Sequence, residues 1–281
     1  MGNRYRFKGW QRYKTPTILP VFGTTAPLRA LIDSLFGNGE AGAMYVPKPV
    51  VLGQQVLFKD AAGTTPVTAD GDPVGLMLDQ SGNDNHATQS VSASRPIYRT
   101  DGVLHWLEGA TSWMDSPVFT MTEHWFVSYA ISQDAYANYT GPWRFLREGG
   151  DPVATNANRL EDYTRASGDR TIYSRFELVG SYSNRIEVLP AANTKYVGWA
   201  GYNPDASHHV GEQWTGVQHQ VVASDLVRSP GSGSLSLFRG YRGDIMPGKM
   251  FGLVFRTNTP TSDAEREQLN AYMRGQGGIT L

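Results

Sequence analysis

Residues Leu76–Pro96 read LMLDQSGNDNHATQSVSASRP, and the switch of character inside this stretch decides the fold. The apolar run Val74-Gly75-Leu76-Met77-Leu78 stops at Asp79, and Gln80 to His86 is almost pure turn chemistry. Gly82 accepts a positive φ without steric cost, and the side chains of Asp79, Ser81, Asn83, Asp84 and Asn85 can bond nearby backbone N–H groups. A small, hydroxylated stretch, Ala87 to Ser94, comes next. Pro96 then holds Arg95 out of the helical region before Ile97-Tyr98 resumes an extended path. A strand running into a polar turn is what these residues establish by themselves.

The remainder of the chain is punctuated in the same manner. With 31 Gly and 16 Pro in 281 residues, many turns between short strands are expected. Predicted strands are Val103–Leu107, Trp113–Phe119, His124–Ile131, Trp143–Leu146, Thr171–Val179, Arg185–Leu189, Thr194–Tyr202, Val217–Ala223, Ser234–Phe238 and Lys249–Arg256. His124–Ile131 (HWFVSYAI) is nearly continuous in apolar residues, which suits a strand covered on both faces at the centre of a sandwich. Strands at this spacing, separated by Gly, Pro, Asn and Asp, argue a β-sandwich.

Two helices frame them. Thr25–Phe36 is the first: Thr25 caps, Pro27 suits the first turn, and Leu28, Leu31, Ile32 and Leu35 recur at helical spacing. Gly37-Asn38-Gly39 ends it, and Glu40 to Gly71 reads as a loop-rich lead-in whose prolines bar a long helix. In the second, Thr261 or Ser262 offers the N-cap, Glu265 completes a capping box, Leu269, Tyr272 and Met273 form the buried face, and Gly275 terminates it.

Composition narrows the class. Hydrophobic content of 40% with 18% charged residues is a globular profile, and a net charge of −1 gives no overall pull toward nucleic acid or membrane. Cysteine is absent, which removes disulfide staples and thiolate metal sites without fixing the compartment. No run approaches the ~18 apolar residues of a membrane span, and the N-terminus lacks the apolar core of a secretory signal. Release from a lysed cell fits these features.

The first 24 residues differ from the rest. Arg4, Arg6, Lys8, Arg12 and Lys14 interleave with Tyr5, Phe7, Trp10 and Tyr13, and the first acidic residue is Asp33. Such interleaving suits backbone-tracking nucleic-acid binding or an arm docked on an acidic, partly apolar partner. The arm is preferred, because the body carries the compensating acidity and no nucleic-acid fold signature follows. The expected division is 1–39, a basic and aromatic anchoring arm with its helix, and 40–281, the sandwich with its terminal helix.

The pattern Asp79-x-Ser81-Gly82-Asn83-x-Asn85-His86-Ala87-Thr88 resembles the opening turn of laminin-G-like (concanavalin A-like) jelly-roll modules. It is most similar to those of tailed-phage and prophage virion structural proteins. The ending matches too: Met250-Phe251-Gly252-Leu253-Val254-Phe255-Arg256, then Thr261-Ser262-Asp263-Ala264-Glu265-Arg266. The resemblance spans roughly residues 40–281 and implies an all-β, concanavalin A-like jelly roll. It also implies a virion component: a fibre, spike or decoration subunit, anchored to other virion proteins and assembled as a symmetric homo-oligomer, most often a trimer.

Candidate sites follow from side-chain chemistry. Tyr136, Tyr139 and Trp143 punctuate one predicted loop, and Tyr202, His208, His209 and Trp214 another. Sugar faces pack on aromatic rings while polar neighbours bond hydroxyls, so Tyr136, Tyr139, Trp143, Tyr202, His208 and Trp214 are candidate glycan contacts. The bland reading is that they cover the ends of the sandwich. Many laminin-G-like modules bind calcium, and Asp79, Asn83 and Asn85 could supply oxygen ligands, but a self-capped turn explains them better. His208-His209 lacks acidic partners at ligand spacing, so no metal or other cofactor is expected there. The Glu-x-Asp-x-x-Glu strand of laminarinase-type jelly rolls is absent, and adjacent Glu161 and Asp162 would face opposite ways on a strand. A non-enzymatic virion protein that touches host-surface glycan is therefore expected. A virion-borne polysaccharide depolymerase is the alternative, and a ligand-free cement protein a third.

Overall fold

The computed structural model describes residues 25–122, 124–134, 140–147, 159–165, 171–177, 182–186, 193–203, 207–214, 217–223, 231–239 and 247–280. The basic arm, with Arg4, Tyr5, Arg6, Phe7, Lys8, Trp10, Arg12 and Tyr13, lies outside them, as do Tyr136 and Tyr139.

Helix α1 is Thr25–Phe36, as its apolar spacing predicts. The lead-in supplies β1 (Ala41–Tyr45), β2 (Val50–Val51), β3 (Gln54–Gln55) and β4 (Leu57–Phe58). β5 (Leu76–Met77) and β6 (Ala87–Thr88) bracket the opening turn, followed by β7 (Ile97–Thr100), β8 (His105–Gly109) and β9 (Met114–Met121). Then come β10 (Trp125–Gln133), β11 (Thr140–Arg147), β12 (Arg159–Arg165), β13 (Thr171–Glu177) and β14 (Tyr182–Ile186). β15 (Lys195–Asn203), β16 (Ser207–Trp214), β17 (Val217–Ala223), β18 (Gly231–Leu237), β19 (Gly248–Thr257) and α2 (Asp263–Gly277) complete the order.

Among the described residues, the strands form two large antiparallel sheets and a small β2–β3 ribbon. The first sheet runs β17-β16-β15-β10-β19-β8-β7, with β1 also paired to β19. The second runs β14-β13-β12-β11-β18-β9-β6-β5-β4. Phe119 of the second sheet meets Phe255 of the first edge-on at 6.1 Å, which marks their inner faces. At one side of the sandwich β14 comes close to β16 and β17.

The apolar run predicted for the central strand has a direct cause. Every residue of β10 is buried, because its inner face meets the second sheet and its outer face lies under α2. Ser128 on that outer side donates to Asn270 of α2 at 2.9 Å, and both residues are fully buried. Gly252 of β19 lets α2 approach: a Cβ there would stand 3.2 Å from the Met273 sulfur. α2 buries Leu269, Tyr272 and Met273, at about 1.5–3 kcal/mol for each large apolar side chain. Leu31, Ile32, Leu35 and Phe36 of α1 belong to the same apolar core.

The helix α2 cap is the predicted box, with Ser262 as N-cap. Its hydroxyl accepts from the Glu265 N–H, and the Glu265 carboxylate accepts from the Ser262 N–H. Glu265 also pairs at 2.7 Å with Arg256, a guanidinium only 2% exposed, whose other partner is Glu40 at 3.6 Å. The predicted stop at Gly275 is too early. The helix runs to Gly277, and the left-handed residue that releases its last carbonyls is Gly278, at φ 62°.

Besides two-residue strands such as β2, β3 and β6, three longer ones escape the sequence pattern. β1 has only small residues and Met44-Tyr45 to announce it, β12 reads RLEDYTR, and β16 reads SHHVGEQW. None shows apolar alternation. Each is held by its partners: β1 by β19, β12 by β11 and β13, and β16 by β15 and β17.

Candidate functional site

The opening turn is knitted into the body of the chain. Asp79 Oδ1 accepts from the backbone N–H groups of Met44 (2.8 Å) and Ser81 (2.9 Å). Its Oδ2 accepts from the Ser81 hydroxyl (2.7 Å) and the Asn85 N–H (3.1 Å). The Asn83 amide donates to Glu40 O and the Asn85 amide to Gly42 O, while Tyr45 donates its hydroxyl to Asn85 O. His86 Nδ1 accepts from the Asp79 N–H at 3.2 Å. Gly82 takes φ 89° at the tip. Burial pushes the Asp79 carboxyl above its ordinary range despite these donors, and burial next to Asp79 raises the Tyr45 phenol. Asp79 through both carboxylate oxygens, and Asn83 and Asn85 through their amide N–H groups, thus pin the start of β1 to the turn.

The four predicted glycan contacts that are described lie elsewhere, in strands rather than loops. Trp143 is in β11, Tyr202 in β15, and His208, His209 and Trp214 in β16. The loop reading fails because polar residues on both faces of β16 hide a strand that is hydrogen-bonded on both sides. Register then sorts these residues. Tyr202 stands directly opposite His208, and Trp125 opposite Tyr202, so the three share one face at one end of the first sheet. Trp214, opposite Val217, lies at the other end of β16, about 20 Å away at the ~3.3 Å rise of a strand. That end also holds Gln133, the last residue of β10, from which the chain crosses to the second sheet to start β11 at Thr140. Trp143 sits three residues into β11, opposite Leu237 and Asp162. The four described candidates thus divide between two ends of the sandwich; Tyr136 and Tyr139 lie outside the described residues.

Following the rows across each inner face shows a change of chemistry from centre to side. In the first sheet one row runs Leu253, Tyr129, Gly198, Glu212, His219 through successive pairings. The row beside it, Val127, Ala200, Val210, Val221, is apolar throughout. In the second sheet the matching inner-face row runs Leu237, Trp143, Asp162, Ser174, Asn184. Central strands are apolar in both rows, and the outer strands turn polar on the side where β14 approaches β16 and β17.

Adjacent Glu161 and Asp162 take opposite faces of β12, as expected: in register Glu161 stands opposite Arg144 and Arg175, and Asp162 opposite Trp143 and Ser174. Glu212 and His219 were missed as a pair. The signal was present in EQWTGVQH, where Thr-Gly between two extended runs reads as a hairpin connection that would set residues 212 and 219 opposite one another.

The architecture is a sandwich of two antiparallel sheets framed by an N-terminal and a C-terminal helix. Similar structures include a GH54 α-L-arabinofuranosidase soaked with a cyclic sulfate inhibitor (TM-score 0.54, 13% identity, covering 88% of this chain and 64% of that one). An arabinofuranosidase complexed with arabinofuranosyl-α-1,2-xylobiose gives 0.52 at 13% identity, covering 73% of this chain and 51% of the other. Domain 4 of AbnA, a GH43 extracellular arabinanase from Geobacillus stearothermophilus, in complex with arabinotriose, gives 0.51 at 12% identity, covering 69% of this chain and 90% of that domain. The chain spans about half to two-thirds of the two arabinofuranosidases, and at these identities the likeness is one of fold. No protein-family profile and no curated protein sequence matches it.

Proposed function

We propose that this chain is a non-catalytic, glycan-binding β-sandwich of a tailed-phage or phage-like virion, acting as a fibre, spike or decoration subunit. The observation that carries the binding role is the placement of aromatic positions beside polar ones on the inner faces: Trp143 next to Asp162, and Tyr202 opposite His208. The virion assignment rests on the opening-turn and terminal-helix motifs and on the basic, aromatic arm of residues 1–24. In this reading the arm anchors the subunit to other virion proteins, a symmetric homo-oligomer, a trimer for preference, displays it, and the sandwich meets host-surface glycan. The depolymerase reading keeps one observation in its favour, because each sheet carries an inner-face carboxylate, Asp162 on β12 and Glu212 on β16.

A host-polysaccharide pulldown with the full chain and with a variant lacking residues 1–24 tests the proposal. Retained binding without the arm, with the polysaccharide recovered at full length, is the expected outcome. Absence of binding by either form would leave a structural cement protein, and shortening of the polysaccharide would show an enzyme.

A further inference from the structure

We propose that Asn38-Gly39, in the joint between α1 and β1, is a site of spontaneous covalent modification that sets a new carboxylate beside the buried Glu40–Arg256 pair. The sequence contains no other Asn-Gly step. Both residues are exposed, and Gly39 takes φ 86°. Apart from its chain neighbours, no atom lies within 4 Å of the place a Cβ on Gly39 would occupy. Without that Cβ, nothing screens the Gly39 nitrogen from the Asn38 side-chain carbonyl carbon. A single backbone bond restrains this nitrogen, 3.2 Å to Phe36 O.

The chemistry needs no reagent but water. The Gly39 nitrogen bonds to Asn38 Cγ, the Cγ–Nδ2 bond breaks, and the Gly39 proton leaves with the amide nitrogen as ammonia. A five-membered imide remains. Water opens it at either carbonyl, giving aspartate on the original backbone or isoaspartate, whose chain runs through the side-chain carbons.

The other asparagines with described side chains are shielded. Asn83 and Asn85 donate their amides to Glu40 O and Gly42 O, and Asn270 is fully buried. Asn193 and Asn258 are exposed, but each precedes a threonine, whose branched Cβ crowds the attacking nitrogen. Asp70-Gly71 and Asp101-Gly102 share the left-handed glycine, at φ 89° and 90°. Ring closure there must expel water from a protonated carboxyl. The Leu104 and Val103 N–H groups hold the Asp101 carboxyl below its ordinary range, and Asp70 is engaged by the Thr100 N–H and Arg99.

The consequence runs through Glu40. Asn38 donates twice to its carboxylate, from the backbone N–H to Oε2 at 2.9 Å and more weakly from the side-chain amide to Oε1 at 3.4 Å. Glu40 is 7% exposed and faces Arg256, which also holds Glu265 at the cap of α2. Modification exchanges the amide donor for a carboxylate, so a charge-assisted bond becomes a like-charge contact. Isoaspartate also lengthens the backbone in the joint that ties α1 to the sandwich.

The test follows the unaltered full chain during incubation at mildly alkaline pH. Peptides are read by mass for exchange of –NH2 for –OH, and isoaspartate by methyl transfer from S-adenosylmethionine with an isoaspartyl methyltransferase. Both signals are expected first in the peptide containing residues 38–39, and to vanish there in Asn38→Gln, whose longer side chain closes a ring far more slowly. Earlier modification at any other asparagine, or none at residues 38–39, overturns the inference. Asn38→Asp, which makes one product directly, is expected to melt about 2–4 °C below the unaltered chain at neutral pH. The difference should close toward about pH 3, where the carboxyls are protonated. An unchanged melting temperature, or a difference independent of pH, overturns the coupling to Glu40.

Discussion

Gly198→Ala is the sharpest single test of how the first sheet is put together. Gly198 lies opposite Tyr129 on β10 and opposite Glu212 on β16. A Cβ at this position would overlap the Cζ, Oη and Cε2 atoms of Tyr129. The ring cannot swing into solvent, because Tyr129 is 1% exposed and its strand is buried on both faces. Overpacking of this kind costs about 1–3 kcal/mol, against which the stiffer unfolded chain returns about 0.4–1 kcal/mol. A net loss of about 1–2 kcal/mol is expected, or roughly 2–4 °C in melting temperature per kcal/mol for a chain of this size. The specific assay is a double-mutant cycle by urea denaturation. Tyr129→Leu alone opens a cavity, and in the double variant the new methyl occupies part of it. The pair should therefore be better than the sum of the singles by about 1–2 kcal/mol. Additive losses, or a neutral Gly198→Ala, would refute the packing of the ring across the glycine.

Two further predictions concern buried charge. Asp79→Asn replaces one oxygen with an amide that faces the Asn85 N–H, so about 1–3 kcal/mol should be lost in urea melts. Because burial raises the folded-state value of this carboxyl, its contribution is full below the unfolded range near ~4 and declines as pH rises through the raised value. The stability gap between the unaltered chain and Asp79→Asn should accordingly narrow from about pH 3 toward neutrality, and a widening gap would contradict the assignment. Glu265→Ala removes the 2.7 Å partner of a guanidinium that is 2% exposed and one half of the capping box, for an expected loss of about 3–5 kcal/mol. Glu265→Gln, which can still cap, should lose less; equal losses would mean that the cap matters little.

What the sequence made legible depended on whether burial was one-sided, two-sided or absent. β10 was plain because both of its faces are covered, which forces a continuous apolar run. α1 and α2 were plain because one stripe of each is buried, and Ser262 with Glu265 gave the start of α2 away. The end of α2 was misjudged because Gly275 and Gly278 look alike in sequence, while only Gly278 adopts the left-handed conformation. β1 was invisible because its signal is not local: its place is set by β19, more than 200 residues downstream, and by the Asp79 carboxylate.

Two of the strands that the sequence pattern failed to announce, β12 and β16, also carry acidic residues at inner-face positions, and one physical cause accounts for both. A strand is announced by apolar residues at alternate positions, and those residues are apolar because the face they occupy is dry. β12 and β16 break the alternation at Asp162 and Glu212, on the face that ought to be the driest in a two-sheet sandwich. A chain selected only for stability has no reason to place carboxylates there, since well-packed apolar residues would do better. The neighbouring row of Val127, Ala200, Val210 and Val221 shows that the same strands do supply apolar residues one layer away. The polar positions are thus local exceptions within strands otherwise held by their partners, and such exceptions are where binding groups are to be sought. The doubly covered centre under α2 holds the fold, and the polar inner-face positions fall on the outer strands β12 and β16.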